Sequence, residues 1–390
     1  MSLNIAILSN SSANYKSNRL IIQAGKKRNH NVFVLNPKNL VLYLSDKEGQ
    51  SRIYTNENGI LERLPKIDAI IPRLSDVSSI HIIDFFTNNL GVYSTQSGDS
   101  IRVCSKKWLT LLKANENGIK IPKTIYCSDF KSENLDTYIQ SLSLPLVLKL
   151  DKGSQGVGVM LFSEKNSLKT TAETFSKQGT PFILQEMIKT NGKQRDFRTI
   201  VIGNECGATM KKTVHRNNEF RTNLARKGTA EPYELSERER LFSLQVSESV
   251  GADTCGIDWM IKDGEPILLE ANSNYGSKII DVVGKNFFEK LFFHIEIAVE
   301  DFKQLKKQKD EKRKENNFLF EKIESLQTQL NKKENLLSEI LENEKMKKLF
   351  NSLKGEDLGY LDSDKKEKQK KIRKPQDIIE MLTEMVEIEI

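Results

Sequence analysis

The chain has 390 residues, 38% of them hydrophobic, and carries 60 Lys+Arg against 53 Asp+Glu for a net charge of +7. At roughly 150 residues per domain this length makes two or three domains. No run approaches the roughly 18 apolar residues of a membrane span, and the opening MSLNIAIL lacks a basic-then-apolar leader. Cys104, Cys127, Cys206 and Cys255 have no paired spacing, so neither a disulfide framework nor a zinc cluster is expected, and the chain reads as cytoplasmic with no membrane partner.

The alternation of elements in the first 100 residues is that of a parallel α/β sheet. Residues 4–8 (NIAIL) form a buried strand, 18–27 a helix, 32–35 a second strand, 67–71 a third ending at Pro72, and 81–90 a helix. A helix over 106–117 stops at Gly118. Then LPLVLKL and VGVMLF make two strands around a glycine-rich turn, with a helix at 167–176 and strands at 182–188, 197–202 and 208–214. Residues 236–250 have helical spacing. Strands at 256–261 and 266–270 flank Asp263-Gly264, a strong hairpin signal. This second region is α+β.

After residue 300 the composition changes. Residues 301–374 hold 21 Lys/Arg and 15 Asp/Glu, which accounts for most of the net charge, and no aromatics are interleaved with the basic runs in the manner of a single-strand-binding platform. Nucleic acid is therefore not an expected partner. Ile323, Leu326, Leu330, Leu337 and Ile340 fit heptad positions broken by Lys333, so 303–350 predicts a helical hairpin or a short coiled coil, with a solvated single helix as the alternative. Residues 351–374 read as a charged linker and 376–390 as an acidic amphipathic helix.

No Walker A loop or GxGxxG is present, and His30, His81, His215 and His294 make no metal pair or nucleophilic triad. What remains is a set of acids and bases on strands. Lys149 ends LPLVLKL, and DKGSQGVGV after it has small residues that let backbone N–H groups approach phosphate; a flexible hairpin turn is the equal alternative. Asp258 lies in GIDWM, while Glu270 and Asn272 share a face of the next strand, which the hairpin sets alongside. Two carboxylates and an amide oxygen suit Mg²⁺ held together with nucleotide phosphates.

Taken together, NIAILSNSSANYKSNRL, IDAIIPRLS, LPLVLKLDKGSQGVGVML, FILQEMI, RDFRTIVIGN, EFRTNLARKG and GIDWMIKDGEPILLEANSN resemble the ATP-grasp carboxylate–amine ligases, and within them the RimK-type group that adds glutamate to a protein C-terminus. The resemblance implies a pre-ATP-grasp domain at 1–100 and an ATP-grasp domain at 101–300 (lid subdomain about 120–190, second subdomain about 191–300), whereas the helical, coiled-coil extension at 301–390 has no counterpart in the compact ligases and rests on its own composition and spacing. It implies that Lys107 and Lys149 contact ATP phosphates under a lid containing Gly153, Ser154, Gln155, Gly156 and Gly158, and that Glu186 and Met187 form the hinge beside adenine. Asp196 then lies near the ribose and Arg198 faces the phosphate and acyl site. Arg221, Thr222 and Asn223 approach the triphosphate, with Arg198 and Arg221 as the catalytic cations. Asp258, Glu270 and Asn272 bind two Mg²⁺, for which Mn²⁺ can substitute. The implied reaction forms an acyl phosphate on a peptide or protein carboxylate and transfers it to an amino-acid amine, releasing ADP and phosphate; a homo-oligomer is the expected assembly. Side-chain ester or amide crosslinking of a peptide, and a non-catalytic ATP-binding scaffold, are the alternatives. The loop after Asn272 departs from the family's Ser-Pro-Gly pattern: it reads Ser273-Asn274-Tyr275-Gly276-Ser277-Lys278, which places glutamate as the added residue in question and makes Lys278 a candidate partner for a substrate carboxylate.

Overall fold

The run NIAIL becomes β1 (Asn4–Leu8), buried over four of its five residues, as a central parallel strand covered on both faces must be. The computed structural model describes residues 2–45, 50–74, 79–153, 156–189, 195–213 and 228–342. Helix α1 (Lys16–Lys27) connects β1 to β2 (Asn31–Leu35), which pairs parallel with it. A three-stranded antiparallel meander follows: β3 (Leu40–Tyr43), β4 (Arg52–Glu57) and β5 (Ile60–Arg63). The chain then returns as β6 (Ala69–Pro72), passes through α2 (Ile80–Asp84) and adds β7 (Tyr93–Ser94), completing a parallel sheet of order β2-β1-β6-β7.

Helices α3 (Gly98–Cys104) and α4 (Lys107–Glu116) lead to a four-stranded antiparallel sheet of order β10-β9-β11-β8, made from β8 (Thr124–Cys127), β9 (Leu146–Leu150), β10 (Val159–Phe162) and β11 (Phe182–Glu186). One face packs on α5 (Leu135–Leu142) and α6 (Lys165–Lys177) through Leu135, Leu148, Leu168 and Phe182. In β9, alternation leaves Val147 and Lys149 on the other face.

The third sheet is antiparallel, of order β14-β13-β12-β15-β16, from β12 (Arg195–Ile202), β13 (Glu205–Thr213), β14 (Thr229–Pro232), β15 (Thr254–Lys262) and β16 (Glu265–Asn272). The β15–β16 turn is Asp263-Gly264, both left-handed at φ 54° and 77°. Helix α7 (Glu237–Ser249), started by a capping box between Ser236 and Glu239, covers the back face with Phe242 and Val246. There Phe197 stacks on Trp259 at 4.3 Å between ring centroids, and the Trp259 indole N–H donates to Thr199 Oγ1 at 2.9 Å.

The front face divides. At one end Ile200, Ile202 and Met210 join a core with β1, α1, α8 (Lys278–Val283) and the start of α9 (Phe288–Glu342). The α9 contribution is a stripe of Phe288, Leu291, Phe292, Ile295 and Val299, spaced three and four apart. At the other end the strands carry charge and open into a cleft. By contacts, the chain divides into Met1–Gln308 and Lys309–Ile390. In the second unit the described residues form one continuous helix to Glu342, without the hairpin considered for that stretch, and Phe318, Leu319, Ile323, Leu326 and Leu330 on it are exposed. Residues 343–390, with the predicted linker and terminal helix, lie outside the described residues. Among the described residues no helix is long and apolar enough to cross a membrane.

Candidate active site

Three strands of the third sheet bring Arg198, Asp258 and Glu270 side by side: Arg198 is opposite Asp258 across β12–β15, and Asp258 is opposite Glu270 across β15–β16. A bulge just after Asp258 gives β16 an extra residue, so that Leu269 and Glu270 both line the cleft while Leu268 and Ala271 stay in the back-face core. Such bulges re-aim side chains at the edge of a site. Asn272, two residues on, returns to the cleft side with its amide Nδ2 3.3 Å from Asp258 Oδ2.

Asp258 is buried and fully engaged. Arg198 grips it with Nε at 2.9 Å from Oδ1 and Nη2 on Oδ2, while Lys212 Nζ lies 3.3 Å from Oδ1 and 3.0 Å from Asp196 Oδ1. Burial alone would raise the Asp258 pKa, but Arg198 and Lys212 hold it at about 2. The same pairing raises the Arg198 pKa. Lys212 is desolvated, yet Asp258 and Asp196 keep its pKa above the ordinary lysine value. Glu270 is different: no hydrogen-bond donor among the described residues reaches its carboxylate, and desolvation pushes its pKa up, with Asp258 adding to the rise and Lys107, Lys149 and Arg198 opposing it.

Lys149 approaches from β9. Desolvation lowers its pKa to about 8, against the pull of Glu270 and Asp258 and with the repulsion of Lys107. Lys107 is placed by a local device: its backbone N–H donates to Asp151 O at 3.2 Å and the Trp108 N–H to Asp151 Oδ1 at 3.0 Å, which ties the start of α4 to the end of β9. The Lys107 ammonium then donates to the Gly153 carbonyl at 2.8 Å. The β9–β10 turn needs its glycines. Gly158 has φ +73°, and a Cβ there would come within 2.8 Å of the Leu150 side chain. Ser154 and Gln155, within this loop, and Arg221, Thr222 and Asn223 lie outside the described residues.

At the junction of the two antiparallel sheets, the Glu186 carboxylate accepts the Lys123 N–H at 3.0 Å and the Lys262 ammonium at 2.9 Å. Its burial is outweighed by these donors, and its pKa is lowered. Val147, Met187, Ile188, Met260 and Leu269 make an apolar slot beside it, in the same cleft of about 750 Å³ as Lys107, Lys149, Gly153, Gly156, Asp196, Arg198, Lys212, Asp258, Glu270 and Asn272. Of the slot residues Met187 had been singled out in the sequence, whereas Val147, Ile188, Met260 and Leu269 had not, nor had Lys212. An apolar residue that faces a ligand reads like one that faces a core. Lys211 and Lys212 are adjacent, so only the β12–β13 register, with Asp196 opposite Lys212, selects the inward one.

A family profile described as the RimK-like ATP-grasp domain matches residues 104–295, and one described as the RimK PreATP-grasp domain matches 3–101. A probable alpha-L-glutamate ligase of Vibrio parahaemolyticus is 30% identical over 305 residues, covering 75% of this chain and 95% of that protein. The chain belongs to the RimK-like ATP-grasp family. It is also 29% identical over 282 residues to a probable alpha-L-glutamate ligase of Histophilus somni, across 70% of this chain and 92% of that one. Its fold is shared with the ATP-grasp ligase PsnB, solved in complex with a minimal precursor, at TM-score 0.57 and 13% identity over 76% of this chain and 99% of that one. As an ATP-grasp ligase it joins a carboxylate to an amine and converts ATP to ADP and phosphate.

The family uses ATP and Mg²⁺, and the donor set fits the ion. Glu270 offers a carboxylate that no donor among the described residues occupies. The Asn272 amide lies against the other carboxylate, and turning it over would present an oxygen in place of Nδ2 and release one lone pair of Asp258. All three side chains would offer hard oxygens, as Mg²⁺ requires.

Proposed function

We propose that this RimK-like ATP-grasp ligase phosphorylates the carboxylate of a peptide or protein and passes the acyl group to the amine of an amino acid. The observation that carries this reading is the facing arrangement of Glu270, Asp258 and Asn272 with Lys107 and Lys149 in one cleft, whose wall also carries the apolar Val147, Met187, Ile188, Met260 and Leu269. Adenine would lie against Val147, Ile188, Met260 and Leu269, with Glu186 and Met187 at the hinge. Lys107 and Lys149 neutralise the phosphates, and the glycines from Gly153 to Gly158 let backbone N–H groups close over them. Asp196 and Lys212 sit where the ribose and phosphates meet. Arg198 faces the oxyanions that develop during transfer, and Arg221, Thr222 and Asn223, which lie outside the described residues, keep the triphosphate role that the resemblance implies. Glu270, Asp258 and Asn272 would hold two Mg²⁺, or Mn²⁺ in their place, which screen the phosphates and the incoming carboxylate from one another.

No protein nucleophile is required, because the acyl phosphate forms directly and phosphate leaves when the amine attacks. Positioning and charge cancellation supply the rate. The named identity of the relatives as probable alpha-L-glutamate ligases supports an amino acid as the amine. The exposed heptad stripe on α9 supports a coiled-coil contact in a homo-oligomer. The decisive experiment gives the full chain Mg-ATP and pooled amino acids, with and without cell peptides, and follows ADP and phosphate. Release that requires both an amino acid and a peptide is expected; AMP, or release indifferent to both, would overturn the reading.

A further inference from the structure

The cleft extends beyond the nucleotide end to the carboxyl edge of the parallel sheet, where β1 and β6 end and ligands of such sheets collect. Arg73, the residue after β6, lies there. Its Nη2 donates to the Tyr275 carbonyl at 2.6 Å and its guanidinium lies 5.3 Å from the Tyr275 ring centroid. Its Nε is fully buried with no hydrogen-bond partner. No carboxylate among the described residues compensates it, and desolvation lowers its pKa. Among the described residues this desolvated cation is held by a carbonyl and a ring alone, which is costly unless an anion arrives.

The surroundings agree. Lys278 lines this end, as does Lys16, whose ammonium is paired with Asp281, and every carboxylate on the described cleft wall (Glu186, Asp196, Asp258, Glu270) belongs to the nucleotide end. The N-terminus of α1 also opens here, with no side-chain cap at Tyr15 and no acidic residue in its first turn, so its dipole favours an anion. Tyr275 is three residues past Asn272, which limits the separation of the two backbones to about 11 Å.

Resting on the ligase reading, we infer that Arg73 is the anion receptor of the amine subsite: it takes a carboxylate of the incoming amino acid, one that is not activated, and so selects amines that carry a carboxylate. The loop that departs from the family pattern at Ser273–Lys278 supplies the carbonyl and ring that hold the guanidinium in place, so the departure falls on the receptor's frame and not on its charge.

The test uses the full-length wild type, Arg73→Gln and Arg73→Lys. Binding of ADP–Mg²⁺ should agree within about twofold among the three, which reports on folding and on the nucleotide end. L-glutamate, its α-amide and its γ-amide are then titrated into the ADP–Mg²⁺-loaded proteins. Wild type should prefer L-glutamate to one of the amides by at least about tenfold. Arg73→Gln should lose about 10–100-fold in L-glutamate affinity, leave that amide unchanged and so erase the preference, and Arg73→Lys should restore part of it. Undiminished L-glutamate binding by Arg73→Gln, or a wild type that binds the diacid no better than either amide, overturns the inference. Neither result touches the ligase reading, which falls on a separate measurement: wild-type release of AMP, or of ADP without amino-acid dependence.

Discussion

The two faces of the five-stranded sheet are built from alternate residues of the same strands, and they solve opposite problems. On the back, Phe197, Ile257, Trp259 and Leu268 are buried against α7, and the few polar groups are satisfied, as in the Thr209–Thr199–Trp259 chain. On the front, Asp196, Lys212, Asp258 and Arg198 form a network in which each carboxylate meets a cation, yet Glu270 beside them meets no donor among the described residues. Buried ion pairs are weak sources of stability, whereas a closely packed aromatic layer is a strong one. The back face therefore stabilises the sheet, and the front face leaves one buried carboxylate without a donor among the described residues, as the proposed metal and phosphate site requires.

Exchanging single residues between these roles tests the division. Glu270→Gln should lower turnover by about 10³-fold or more while raising Tm. The sign follows from its raised pKa: the neutral form is favoured in the fold, so the stability it brings is lost as pH rises through the folded pKa, and the neutral Gln keeps it. The Tm advantage should shrink on acidification toward pH 4, read by calorimetry; an advantage independent of pH would remove the electrostatic explanation. On the other face, Trp259→Ala should cost about 3–5 kcal/mol in denaturant unfolding while the folded fraction keeps its ADP affinity.

Lys149→Met is a smaller perturbation, expected to weaken ATP binding by about 10–100-fold. With the Lys149 pKa at about 8, wild-type ATP affinity should fall as pH rises through 8, and the variant should lack this dependence. The nucleotide-free protein should behave the opposite way. Between about pH 8 and the ordinary lysine value the unfolded chain holds a proton that the folded chain does not, so stability rises with pH there in wild type only. A flat wild-type affinity profile from pH 7 to 9 would place Lys149 away from the phosphates.

Sequence pattern alone reached the parallel strands, the Asp263-Gly264 hairpin and the alignment of Asp258 with Glu270 and Asn272, because period-two alternation and a two-residue turn fix register directly. It did not reach the β3–β5 meander. Its strands are short and half-exposed, although Asn58-Gly59, left-handed at φ 55° and 85°, was the available hairpin signal. It missed Lys212 because two adjacent lysines differ only by a register that β12 supplies. It missed Asp151 as the tie that sets Lys107, and Arg73 as a cation that no carboxylate among the described residues compensates, because both depend on partners more than 40 residues away. The start of α9 at Phe288 was hidden as well. Its apolar stripe continues without a break into the charged helix, so composition changes later than packing does.

The finest test of the back face concerns one hydrogen bond. Thr199→Val is nearly isosteric, but it leaves the Trp259 indole N–H and the Thr209 hydroxyl without the oxygen they share. A buried donor that loses its acceptor costs about 1–3 kcal/mol, more than the bond's net contribution, because the group stays desolvated. In a Trp259→Phe background the indole donor is already absent, so the same Thr199→Val step should cost measurably less, with a coupling of about 1 kcal/mol in denaturant unfolding. Equal costs in both backgrounds would mean that the aromatic stack alone holds Trp259, and that Thr199 serves only to fill its place in the strand.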